Sequence, residues 1–139
     1  PLFQDDFLAS NKSLSVILDN LNSPWMAHEY NHYDMSHGMF FNQRTPYWND
    51  GMINGVNTIG PPPVTVFEND GELFDENLLW FMDTEFYYRL EKKYGPPTIL
   101  QCNKPLVTIT SWEGQTTNTR ITTQLILKED DHIKEKHSK

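Results

Sequence analysis

The sequence predicts an α+β fold: a small antiparallel sheet of three or four strands packed against one long and one short helix. Three observations predict it. Two segments carry apolar residues at helical spacing, short β-branched segments follow residue 97, and a long ring-rich stretch between the helices keeps neither period.

The short helix is read over residues 11–22. Leu14, Ile17, Leu18 and Leu21 fall at i, i+3, i+4 and i+7, Ser10 or Asn11 stands ready to cap the start, and Ser23-Pro24 ends the run. A helix of this length is unstable alone, so its apolar stripe is expected to dock. Residues 23–63 then read as an irregular segment, closed by the stiff Pro61-Pro62-Pro63 run and pinned to the core by its rings. Val64–Phe67 is a short strand ending in an Asn69-Asp70-Gly71 turn.

The long helix is expected from a cap at Asp75 to about Lys93, with Leu79, Met82, Phe86 and Leu90 on one stripe. Glu76 near its start and Lys92-Lys93 at its end suit the helix dipole, and Gly95-Pro96-Pro97 stops it. Three strands should follow, at Thr98–Cys102, Leu106–Trp112 and Arg120–Lys128. In the last, Ile121, Thr123, Leu125 and Leu127 alternate with Thr122, Gln124 and Ile126, the period of a half-exposed hairpin strand. Residues 1–128 are thus expected to form one domain of a larger protein, the chain starting at Pro1, and residues 129–139 a frayed, charged tail.

Composition narrows the function. With 11 basic and 19 acidic residues the chain of 139 carries a formal charge of −8. No segment supplies the basic face that displaces counterions from nucleic acid, so a nucleic-acid partner is not expected, and the acidic surface favours a basic protein partner. No apolar run reaches the roughly 18–20 residues of a membrane span, so no membrane partner is expected. The lone cysteine, Cys102, permits neither an intrachain disulfide nor a cysteine-based zinc site and points to a reducing, intracellular setting.

One motif carries specific chemistry. His28-Glu29-Tyr30-Asn31-His32 matches H-E-x-x-H, and with Met26-Ala27 before it and a ring at Tyr30 it resembles the active-site signature of the zincin metalloproteases. The resemblance implies a helix on which His28 and His32 share one face and grip a zinc ion while Glu29 acts as the catalytic base on its bound water. A third ligand would come from His37, Asp34, Glu68, Glu72 or Glu76. Two features depart from the pattern: no strands are read before the motif, and Pro24 leaves barely one helical turn ahead of His28.

No other catalytic set is evident, so the expected function is that of a non-enzymatic protein-interaction domain with no cofactor. It would bind through the aromatic segment 23–63, using Trp25, Tyr47, Trp48, Phe40 and Phe41, or through the sheet edge. The alternatives are the zinc hydrolase of His28, Glu29 and His32, and a small-molecule pocket between the long helix and a curved sheet, lined by Phe81, Phe86, Trp112 and Ile109.

Overall fold

The computed structural model describes Leu2 and residues 5–138. In chain order the elements are β1 (Phe7–Leu8), α1 (Ser13–Asp19), β2 (Trp25–His28), β3 (Tyr30–Asp34), β4 (Met39–Arg44), β5 (Thr65–Phe67), α2 (Met82–Tyr94), β6 (Thr98–Leu100), β7 (Val107–Ser111), α3 (Thr116–Thr119) and α4 (Thr123–His137). Short 3-10 turns occupy Asp50–Asn54 and Pro62–Val64. The architecture is α+β, with two small sheets in strand orders β1-β7-β3-β4 and β5-β2-β6. No helix among the described residues is long and apolar enough to cross a membrane.

Both sheets are mixed rather than purely antiparallel, and the reason lies at one residue. Strands β2 and β3 are a single extended run interrupted only by Glu29, where the chain passes from one sheet to the other. The later pair β6 and β7 runs parallel to it, β6 beside β2 and β7 beside β3. Glu29 ties the two runs together at the crossing. Its carboxylate accepts the backbone N–H groups of Cys102 (2.8 Å) and Lys104 (3.2 Å) and the Thr45 hydroxyl (3.0 Å), and its carbonyl accepts the Leu106 N–H.

The segment 23–63, expected to be irregular, holds three strands. Strand β2 is buried at all four positions, so it shows no polar alternation. Strands β3 and β4 form a hairpin of His, Asn, Gln and aromatic residues, a composition with little strand signal. A bulge breaks its register between Tyr30 and His32, and Asn42 takes a positive φ of 55° opposite it.

Helix α2 begins at Met82, seven residues after the expected cap. The N–H groups of Leu79, Trp80 and Phe81 all point to the carboxylate of Glu129, at 2.8–3.1 Å, instead of to preceding carbonyls. That carboxylate belongs to α4, which replaces both the expected strand Arg120–Lys128 and most of the expected frayed tail 129–139; Lys139 lies outside the described residues. Thr122 caps α4 by accepting the Leu125 N–H, and Ile126, Glu129 and Ile133 then line one face. The charged end of α4 is tied to the rest of the fold by ion pairs. Lys136 and His137 donate to the fully buried Glu85 of α2, which also pairs with Arg89, while His132 and Lys136 hold Asp75.

Trp25, Phe86 and Tyr87 centre the main core; Trp25 stacks on Tyr87 at 6.0 Å, and Phe86 is flanked by Phe67 and Phe74. Leu78, Phe81 and Ile133 form a second cluster beneath α4. Helix α1 buries only Ile17 and Ser13, and leaves Leu14, Leu18 and Leu21 of its expected docking stripe exposed.

Candidate functional site

The H-E-x-x-H segment lies on strands, which corrects the helical geometry that the zincin resemblance implies. Four residues of fully extended chain span about 13 Å, against about 6 Å on a helix, and His28 and His32 here belong to different sheets. His37 pairs with Asp34 at 2.7 Å on the exposed hairpin end. Among the described residues no three His, Cys, Asp or Glu side chains come together to hold a metal.

Each motif residue has its own surroundings. His28 is buried, with Nδ1 3.2 Å from the Glu29 carbonyl oxygen and Nε2 without a hydrogen-bond partner among the described residues. Burial pushes its pKa below the ordinary imidazole value. Burial alone would raise the Glu29 carboxyl, but the hydrogen bonds from Cys102, Thr45 and Lys104 outweigh it and hold the group below the ordinary glutamate value. The base proposed from sequence is thus committed to joining two strand pairs. The Cys102 thiol beside it is pushed up, by burial and then by the Glu29 carboxylate, away from the reactive thiolate.

A pH effect on stability follows from His28. The folded imidazole resists a proton that the unfolded chain accepts below about pH 6.5, so stability should fall as pH drops through that value. His28→Met removes both this proton linkage and the orphaned Nε2. Urea midpoints at pH 7.5 and 5.5 should therefore differ less in the variant than in the parent chain. Equal pH differences would assign the effect to other groups.

The aromatic residues expected to meet a partner divide into two kinds. Trp25 is a core residue, 1% exposed, with its indole N–H donating to the Gly95 carbonyl at 2.8 Å; it is not available at the surface. Trp48 is half-buried, edge-on to Trp25 at 5.9 Å. Phe40, Phe41 and Tyr47 are exposed. They belong to a stretch that also exposes Met35 and Met39 at and beside the β3–β4 turn, and all six residues of β4 are exposed. Among the described residues strand β4 pairs only with β3, so its other edge has no strand beside it in the sheet.

The structure also contains a cleft of about 790 Å³ between the carboxyl end of β7, the amino end of α2 and the β3–β4 hairpin. Three of the four expected pocket residues, Phe81, Trp112 and Ile109, line it, while Phe86 is fully buried in the main core and does not. Two glycines shape the walls. A Cβ on Gly55, whose φ is +81°, would stand 2.2 Å from the Phe81 ring, and one on Gly114 would stand 1.9 Å from the Trp112 ring. Each aromatic ring thus lies directly on bare backbone.

Sequence reasoning missed the polar groups of the cleft: Asp5 and Asp6 before β1, and Asp83 in the first turn of α2. Asp83 accepts from Asn57 Nδ2 at 2.8 Å and from the Thr84 N–H, yet burial still raises its carboxyl to about 6. Asp6 is raised too, by burial and by Asp5, against the lowering hydrogen bond from the Thr110 N–H. His32 stands across the cleft, kept below the ordinary imidazole value chiefly by burial. No family model, no curated protein and no solved structure matches the chain.

Proposed function

We propose that this chain is a protein-binding domain whose docking element is the edge strand β4. The observation that carries the reading is the exposure of Met39, Phe40 and Phe41, at 56%, 58% and 42%, on a strand with one edge unpaired among the described residues. An apolar exposed edge is a liability unless it is covered, and strand addition by a partner covers it with main-chain hydrogen bonds while pockets for alternate side chains give selectivity. The Asn42 bulge confines the regular run to Met39–Phe41, so the occupant is a short extended segment. The formal charge of −8 favours a segment from a basic protein through long-range attraction.

The test starts by placing a photo-crosslinking residue at position 40 and identifying what it captures. Binding of the purified candidate is then measured to the parent chain and to Met39→Asp and Phe40→Asp. Both side chains point largely to solvent, so the thermal midpoint should hold while affinity falls at least tenfold. Size-exclusion chromatography with light scattering shows whether the occupant is a second copy. Affinity unchanged by both substitutions, with the fold intact, would refute the reading.

A further inference from the structure

The cleft beside α2 has a chemistry of its own. Among the described residues no Lys or Arg lines it, although three carboxylates do, those of Asp5, Asp6 and Asp83. Elsewhere some carboxylates are ion-paired, and the buried Glu29 and Glu129 are each held by three neutral donors. Glu85 has Arg89, Lys136 and His137; Asp75 has Lys136 and His132; Asp70 and Glu72 share Lys93. Among the described residues none of the three cleft carboxylates has a salt-bridge partner; their hydrogen bonds come from neutral donors, Asn57 and the backbone N–H groups of Thr84 and Thr110. An ionised carboxylate taken partly out of water without a counter-charge is costly.

Part of the remaining wall is aromatic. Trp112 and Trp80 are 41% and 39% exposed, and Phe41 and Phe81 also line the cleft, among aliphatic, proline and hydroxyl side chains. Exposed indole rings and carboxylates without a counter-charge in one cleft make two attractions of the same sign: both draw a cation, one through the ring quadrupole and one through Coulomb attraction. The amino end of α2 contributes about half a positive charge, less than the three carboxylates, so an anionic ligand is disfavoured here. The cleft volume is that of a small-ligand site and is large enough for a chain of several carbons with a charged head.

We propose that the cleft between β7 and the amino end of α2 is a binding site for an alkylammonium cation, held by the Asp83 and Asp6 carboxylates and by the Trp112 and Trp80 rings. The cation is either a free amine or the lysine side chain of a partner. The site stands apart from the strand-addition reading, since its principal residues lie on β1's approach, α2 and the end of β7 rather than on β4.

The experiment is a titration of the intact chain by calorimetry, with tryptophan fluorescence as a second readout. The probes are butylamine and spermidine for the free amine, an acetylated lysine amide for the side chain, and butanol and butyrate as neutral and anionic isosteres. Saturable binding of at least one ammonium probe is expected, with butanol and butyrate at least tenfold weaker. Asp83→Asn and Trp112→Leu should each weaken the ammonium probe at least tenfold. Asp83→Asn should remain folded, because the protein already disfavours the charged form of that side chain; melting curves confirm this. Asp131→Asn, at an exposed position of α4 outside the cleft, should leave affinity unchanged. Preference for the simple amines identifies a free ligand, and preference for the lysine amide a partner side chain. Absence of saturable ammonium binding, equal binding of butanol, or an equal loss with Asp131→Asn overturns the proposal.

Discussion

Replacing Glu129 with alanine should lower the unfolding free energy by about 3–5 kcal/mol, as much as truncating a core ring. The buried carboxylate accepts three consecutive backbone N–H groups, from Leu79, Trp80 and Phe81. Alanine leaves all three donors without a partner at the point where α2 begins, and it opens a gap beside Leu78, Phe81 and Ile133. Charge-assisted hydrogen bonds contribute about 1.5–3 kcal/mol each, and three that share one carboxylate do not add fully. Urea denaturation measures the loss, and amide exchange at residues 79–81 should accelerate ahead of the α2 interior. A change below about 1 kcal/mol would mean that the end of α2 finds other acceptors when α4 withdraws its own.

Glu29→Gln should destabilise the fold by about 2–4 kcal/mol, which distinguishes its structural role from that of a zincin base. A catalytic glutamate at a metal site is expected to be replaceable by glutamine with the fold intact and the activity gone. Here one carboxylate oxygen accepts from Cys102 and Lys104 and the other from Thr45 at the crossing of both strand pairs, and glutamine replaces these charge-assisted hydrogen bonds with weaker neutral ones. The pH dependence provides a second readout. The folded carboxyl lies below its unfolded value, so its contribution is fully present above about pH 4.5 and is lost as pH falls through the folded value. The parent chain should therefore lose more stability than Glu29→Gln between pH 5 and pH 3. A variant as stable as the parent at pH 7 would remove the structural assignment.

What could be read in the sequence was the part governed by local signals. Strands β5, β6 and β7 fall within Val64–Phe67, Thr98–Cys102 and Leu106–Trp112, because β-branched runs bounded by proline, glycine and asparagine leave few alternatives. The body of α2 is equally plain from its apolar stripe and its Gly95 stop. The failures are non-local. Nothing near residue 79 indicates that an acceptor fifty positions later will claim its N–H. The alternation of Ile121, Thr123, Leu125 and Leu127 imitates a strand, whereas the Thr122 cap and the Ile126–Glu129–Ile133 face, with a carboxylate among its buried members, escape a search for apolar spacing.

The candidate sites divide in the same way. Phe81, Ile109 and Trp112 were recognisable as pocket residues because rings and aliphatics flank the long helix and a strand. Asp6 and Asp83 are seventy-seven positions apart, and the latter resembles any acid placed in a helix's first turn. The H-E-x-x-H match had the right letters on the wrong backbone. The motif's chemistry depends on a pitch that β2 and β3 do not have.

The dependence of α2 on Glu129 also sets an order of events during synthesis. A ribosome releases the chain from its amino end, so residues 82–94 emerge well before residue 129. Until α4 follows, the donors at 79–81 have only water for partners and Glu85 lacks Lys136 and His137, which leaves it Arg89 alone among the three. Helix α2 and the cleft wall it carries therefore reach their final form only after residues 129–137 have been translated, and a nascent chain halted before residue 129 should present α2 to chaperones rather than to ligands.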